Sequence, residues 1–175
     1  MGKVVWITGL SGSGKTFVLR KILDKTRERA ITVIGLDGDD LRKLIIGASN
    51  GKDNYTRQTR LELAFKYSEL ARIIATQNVN VVIATISLFH EIHRWNRENL
   101  PGYYEVFLSV PLAELRRRDP KHIYRKYQEG KLKNVAGLDL SVDIPESPDL
   151  LLENPTIPKL DITVEHLVGY LDNRD

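Results

Sequence analysis

Eight consecutive residues, Gly9-Leu10-Ser11-Gly12-Ser13-Gly14-Lys15-Thr16, meet every fixed position of the pattern G-x-x-x-x-G-K-[ST]. Each residue type has a use there. Gly9, Gly12 and Gly14 let the backbone curl until successive N–H groups point inward at phosphate oxygens. Ser11 and Ser13 belong to the same phosphate-binding loop. Lys15 can reach the β- and γ-phosphates of ATP, and the Thr16 hydroxyl can ligate Mg²⁺. A helix-forming run follows and presents its positive end to the same anion. The apolar run Val4–Thr8 precedes the loop, so strand, loop and helix stand in the required order, which a chance glycine-rich turn would not need. The loop predicts nucleotide binding, a property that several function classes share.

Acidic residues separate those classes. A switch GTPase needs Asp-x-x-Gly after a strand and Asn-Lys-x-Asp for guanine, and neither string occurs in the chain. A motor-type ATPase carries its acid pair at the end of the third strand, where this sequence reads Ala84-Thr85-Ile86-Ser87. The acids stand instead in Leu36-Asp37-Gly38-Asp39-Asp40, at the end of a second apolar run. Carboxylates at a strand's carboxyl end project into the crevice where doubly wound sheets bind ligands. One of these carboxylates could help hold hydrated Mg²⁺ there, while another accepts the proton of an attacking hydroxyl. A plain Asp/Gly turn capping a helix fits the same residues, and the two roles can coexist.

Between Arg116 and Lys133 the chain carries eight Lys or Arg residues against two acids. The segment reads as a solvated charged helix or as a lid. A lid over about 116–148 would neutralise charge developing during transfer and keep water out. RNA binding is a weaker match, because interleaved aromatics are sparse and the net charge is only +3. His90 and His93 stand three apart with no third ligand near in sequence, which predicts a surface helix rather than a metal site.

The elements that must position these groups follow from periodicity. Strands are predicted at Val4–Thr8, Ile31–Leu36, Val79–Ile86 and Tyr104–Val110, with a short fifth at Leu150–Leu152. A helix is predicted from about Lys15 to Arg29 and helical character at Ile123–Glu129. Leu63, Tyr67, Leu70 and Ile74 fall on one helical stripe, as do Val164, Leu167, Val168 and Leu171. Asp143–Pro158 is expected to be a surface excursion. Alternation of this kind predicts an α/β three-layer sandwich of the P-loop nucleoside triphosphate hydrolase type, with a mostly parallel sheet and a basic lid. A length of 175 residues suits one domain, 1–175, able to bury about 70% of its unfolded surface. The absence of cysteine excludes disulfides, thiolate metal sites and cysteine nucleophiles. Without a secretory signal or a membrane-length apolar run, a cytoplasmic protein is expected, with no membrane or nucleic-acid partner.

Taken in order, Trp6–Thr16, Leu36-Asp37-Gly38-Asp39 with Arg42, Ile86-Ser87 and Glu105-Val106-Phe107 resemble adenylylsulfate kinases. Arg118-Asp119-Pro120-Lys121 with Tyr124 and Lys126, Gly137-Leu138-Asp139 and Pro145-Glu146 continue the resemblance, which spans about residues 3 to 153. It implies an ATP-dependent kinase that phosphorylates the 3′-hydroxyl of a small nucleotide, as a homodimer. Lys15 and Thr16 would hold ATP and Mg²⁺, Asp37 and Asp39 would serve metal and hydroxyl, and Arg42 would contact the acceptor's phosphate. Ile86 and Ser87 would line the acceptor pocket. The serine at the position of Ser87 has been considered a phosphate carrier in some members, but in-line transfer needs no covalent step. Within the basic segment, the resemblance implies Arg118 on the ATP side and Lys121 and Lys133 on the acceptor side.

Departures from the family pattern bear on the acceptor. The family sandwiches adenine between two phenylalanines. One position is Val135 here, and the other region is rewritten as Gly51–Arg60. Arg57 takes the place of the family arginine, which puts Arg60 where asparagine is expected, and Tyr55 offers one aromatic face from a shifted position. Losing a base-stacking contact costs on the order of 1–3 kcal/mol. The base therefore need not be adenine; the resemblance makes adenylylsulfate the leading acceptor, with cytidine diphosphoramidate, the substrate of a related capsule-pathway kinase, close behind. A non-catalytic ATP sensor is the alternative from another class; intact Lys15, Thr16, Asp37 and Asp39 argue against it.

Overall fold

The computed structural model describes residues 1–47 and 55–172. Strand β1 (Val4–Thr8) shows how the sheet is built. Val5 and Ile7 face one apolar cluster and Val4 and Trp6 the other, and all four are fully buried. A strand covered on both faces must be apolar at every position, which is why β1 reads as a continuous run. Around it lie β2 (Val33–Asp37), β3 (Asn80–Ala84), β4 (Tyr103–Ser109) and β5 (Leu150–Glu153). Their order is β2-β3-β1-β4-β5, and every pairing is parallel.

Helix α1 (Lys15–Glu28) and the last helix, α7 (Ile157–Asp172), cover one face through Val18, Leu19, Ile22, Val164, Leu167 and Val168. On the other face lie α2 (Gly38–Ile46), α3 (Arg57–Ala75) and α4 (His90–Asn99), contributing Leu41, Leu63, Tyr67, Ala71 and Ile92. Helices α5 (Leu112–Arg118) and α6 (Ile123–Gln128) carry the basic segment beyond β4. This is the expected α/β sandwich with a parallel sheet. Parallel strands put the carboxyl ends of β1, β2 and β3 at one edge, so the glycine loop, Asp37 and the residues after Ala84 emerge side by side.

Three expectations need correction. Strand β3 stops at Ala84, because Thr85, Ile86 and Ser87 turn away, with Ser87 at φ 22°. The stretch 143–158 is not wholly a surface excursion, since it supplies the edge strand β5 and the first two residues of α7. His93 is not on an exposed helix face. It is only 9% exposed, and its Nδ1 meets the buried carboxylate of Glu105, which Tyr103 also reaches at 3.0 Å. Arg97 closes this network from outside, bonding Asp149 at 2.7 Å.

Candidate active site

The glycine loop joins β1 to α1 through backbone angles that side chains resist. At Gly9 (φ 148°) a Cβ would lie 2.7 Å from the Leu108 carbonyl oxygen. Gly14, at φ 103°, is the N-cap of α1 and turns the chain into the helix. Lys15 folds back over the loop, its Nζ donating to the Leu10 carbonyl at 2.7 Å. Burial and the nearby Lys121 lower its pKa to about 7, against the pull of Asp39 and Asp37. Its ammonium therefore stands in a place that disfavours positive charge until an anion arrives.

Asp37 ends β2 and caps α2, one carboxylate oxygen accepting the Asp39 N–H at 2.9 Å. Its other oxygen accepts the Thr16 hydroxyl at 2.8 Å. Capping turn and functional acid are thus one residue. The Thr16–Asp37 pair juxtaposes a hydroxyl and a carboxylate beside the loop, a hard-oxygen donor set that suits Mg²⁺. Asp39 forms a close ion pair with Lys121. Thr8 donates to the Ile86 carbonyl at 2.5 Å, and the Thr85 and Ser87 hydroxyls are bonded at 2.8 Å. These contacts fix the turn after β3 against the loop.

The basic segment is tied down from below. Asp119 accepts the N–H groups of Tyr124 and Arg125, capping α6. Tyr124 is fully buried and donates its hydroxyl to the Ser11 carbonyl at 2.8 Å. Burial, with the Asp119 charge, pushes its pKa up to about 12. On the loop side, Leu10 packs against Tyr124, Leu115 and Val110.

A cleft of about 500 Å³ runs along this edge. Lining it at one end are Ser11, Gly12, Gly14, Lys15 and Thr16, and in the middle Asp37, Asp39 and Lys121. At the far end stand Arg42, Tyr55, Arg60, Ile86 and Ser87. The Arg42 and Arg60 guanidiniums lie 4.9 and 5.4 Å from the centroid of the Tyr55 ring.

Other expected site residues stand apart from this cleft. Gly9 and Ser13 belong to the loop without lining the cleft, and Ser13 is buried. Arg57 turns away, bonding Asp143 at 3.0 Å and Glu91 at 3.3 Å while lying over the Phe89 ring. Arg118 is held by Glu114 at 2.7 Å and reaches Asn154. Lys133 is exposed, and Val135 is buried with its N–H bonded to Asp139. Gly51–Asn54 of the rewritten region lie outside the described residues.

Sequence reasoning missed Arg20, Tyr67 and Phe89, which also line the cleft. Helical spacing was the available signal for two of them. Arg20 is one turn beyond Thr16 on α1, and Tyr67 is two turns beyond Arg60 on α3. Phe89 carries no such signal, because it enters from the turn after β3.

The comparison with known proteins accords with this geometry. The family model described as adenylylsulphate kinase matches residues 1–153. The chain belongs to the adenylylsulphate kinase family. It is accordingly a phosphotransferase that uses ATP and acts on a nucleotide. Over 168 residues it is 36% identical to a cytidine diphosphoramidate kinase of Campylobacter jejuni, covering 96% of this chain and 95% of that one. The adenylyl-sulfate kinase of Pseudomonas aeruginosa is 35% identical over 175 residues, with 97% and 85% covered. The structure of the Mycobacterium tuberculosis APS kinase in complex with AMPPNP and APS superposes with a TM-score of 0.84 at 31% identity, covering 98% of each chain. Among the described residues, no helix is long and apolar enough to cross a membrane.

Proposed function

We propose that this kinase transfers the γ-phosphate of ATP to the ribose 3′-hydroxyl of adenylylsulfate. One observation carries the reading: a single cleft has the phosphate loop at one end, two arginines at the other, and Asp39 between them. Lys15 and the loop N–H groups bind the transferring phosphate, and Asp39 orients the acceptor hydroxyl and takes its proton. Thr16 and Asp37 would hold Mg²⁺, which when bound neutralises charge on the β- and γ-oxygens. Arg118 would serve the ATP side, with Lys121 and Lys133 on the acceptor side. Arg42, Arg60 and the Ile86–Ser87 turn receive the acceptor, and Ser87 lines the pocket without carrying phosphate. Residues 116–148 act as a lid on a single kinase domain, and the enzyme works in the cytoplasm as a homodimer. Lys121 must leave Asp39 before the acid can act as a base, and the phosphate of the incoming acceptor offers it another anion.

A second reading has its own support. Neither family phenylalanine is present, Val135 is buried beside the cleft rather than lining it, and the Campylobacter jejuni relative is a cytidine diphosphoramidate kinase. Coupled ADP release with Mg-ATP and an acceptor panel decides between them. Turnover on adenylylsulfate at low micromolar concentration is the expected result. Turnover on cytidine diphosphoramidate alone would move the assignment to the second acceptor, and silence on every acceptor with tight ATP binding would leave only a sensor.

A further inference from the structure

The basic segment meets the phosphate loop from behind as well as at the cleft. Asp119 caps α6 and so sets Tyr124 in the first turn of that helix, its ring packed with Leu10, Leu115 and Val110. Pro120 and Leu115 close on Gly12, where a Cβ would lie 3.6 and 3.7 Å from their side chains. Tyr124 is 1% exposed, and its hydroxyl donates to the Ser11 carbonyl at 2.8 Å. Burial keeps the phenol proton in place, so the hydroxyl stays a donor throughout the neutral range. In a planar trans peptide the carbonyl and the following N–H point opposite ways. A Ser11 carbonyl turned back toward Tyr124 therefore turns the Gly12 N–H toward the cleft, which both residues line. Gly12 permits this at φ 80°. Among the described residues that N–H bonds to nothing, whereas the N–H of Ser13 is spent on the Leu10 carbonyl at 3.2 Å.

We propose that Tyr124 is a positioning residue for phosphoryl transfer: it fixes the Ser11–Gly12 peptide so that the Gly12 N–H donates to the transferring phosphate. The assignment rests on the donor half of the kinase reading and adds to it a residue that acts through the loop rather than on ATP. A donor aimed in advance costs no reorganisation when charge develops on the phosphate oxygens. The loop does not hold this peptide by itself. Glycine leaves the backbone at position 12 free to rotate, and the loop's own bonds converge on the neighbouring carbonyl. That carbonyl, of Leu10, takes both the Ser13 N–H and the Lys15 ammonium. The Ser11 carbonyl is left to Tyr124, which reaches it from a different part of the chain. The same short segment carries Lys121 into the cleft, where it pairs with Asp39. Seating of the segment and aim of the Gly12 donor are therefore one mechanical event. With the segment displaced, the loop would still bind ATP but would hold that donor loosely.

Tyr124→Phe isolates the bond, because the ring and its packing stay while the hydroxyl goes. In ¹H–¹⁵N spectra, Mg-ATP added without acceptor should move the wild-type Gly12 amide proton downfield, the signature of a charge-assisted hydrogen bond. In Y124F most of that displacement should be lost, while the Gly14 amide responds as in the wild type. In coupled ADP release, kcat should fall about 10- to 100-fold with the KM for ATP within about threefold, because a misaimed donor is missed most in the transition state. The same Gly12 displacement in both proteins, or an unchanged kcat, overturns the assignment. So does a change spread evenly over the loop amides with activity restored on cooling, the mark of a residue that only holds the segment in place. No displacement of any loop amide in the wild type sinks the donor reading itself. Silence on every acceptor touches the acceptor reading alone, since the amide measurement needs no acceptor and still decides the role of Tyr124.

Discussion

Lys15 makes a quantitative prediction about protons. In the free protein, burial and Lys121 hold its pKa at about 7, so at pH 8 only about 0.1 of the molecules carry the charge. Bound phosphates return the pKa toward the ordinary lysine value, near 10.4. Binding ATP at pH 8 should therefore take up about 0.9 proton, and binding at pH 6 almost none. Linkage converts the same uptake into affinity, which should weaken by nearly tenfold per pH unit above about pH 7.5. The assay is titration calorimetry in two buffers of different ionisation enthalpy, with a parallel pH series of dissociation constants. Lys15→Met should abolish both the buffer dependence and the pH slope. The sign for stability is opposite to that of an ordinary paired lysine. The folded pKa lies below the unfolded one, so the ligand-free protein should gain stability as pH rises from about 7 toward 10. Equal binding heats in both buffers at pH 8 for the wild type would refute the reasoning, and with it the picture of a lysine desolvated in advance of its anion.

Asp39→Asn should lower kcat by about 10²- to 10⁴-fold while ATP affinity, measured by titration, changes little. A large loss of ATP affinity alone would make Asp39 a metal holder instead. Tyr124→Phe removes the bond to the Ser11 carbonyl and should cost about 1 kcal/mol in urea unfolding, with faster tryptic cleavage within 116–133. Unchanged cleavage would mean the tether does not hold the segment. His93→Ala takes one partner from the buried Glu105, and unfolding should show a loss of about 3–5 kcal/mol with Mg-ATP affinity unchanged.

Much of the site was legible because its parts are local. The glycine loop and Asp37-Gly38-Asp39 each lie in one unbroken run directly after an apolar strand, so type and spacing determine where the groups emerge. The same is true of β1 and α1, whose bounds follow from the apolar run and from Gly14 at the helix start. Groups whose position depends on pairing across the chain were not legible. His93 and Asn96 look like surface positions on a polar helix until Glu105 and Tyr103 of β4 are placed beneath them. Nothing at Tyr124 alone says that its hydroxyl ends on the carbonyl of Ser11, far away in sequence.

The arginines of α3 show where such reading stops and why. Two arginines, Arg57 and Arg60, stand three apart and are chemically interchangeable acceptor ligands on paper. Thr56 breaks the symmetry by capping the helix, its hydroxyl accepting the Thr59 N–H at 3.2 Å. That cap makes Arg57 the first helical residue, at the level of the α4 N-terminus, where Asp143 and Glu91 neutralise it. Arg60 enters one turn deeper, beside Tyr55 and the Asn134 carbonyl, where its bonds go to neutral carbonyls and Asp139 acts on it only from a distance. Which arginine is left to face a ligand is therefore decided by the acids at 91 and 143, on two other segments of the chain. Substituting Asp143 with Asn should loosen Arg57 without moving Arg60. Adenylylsulfate affinity should then stay within about threefold while stability falls by about 1 kcal/mol, the scale of one partly exposed ion pair. If acceptor affinity instead changed tenfold or more in D143N, Arg57 would be a ligand in its own right, and the division of labour between the two arginines would have to be reversed.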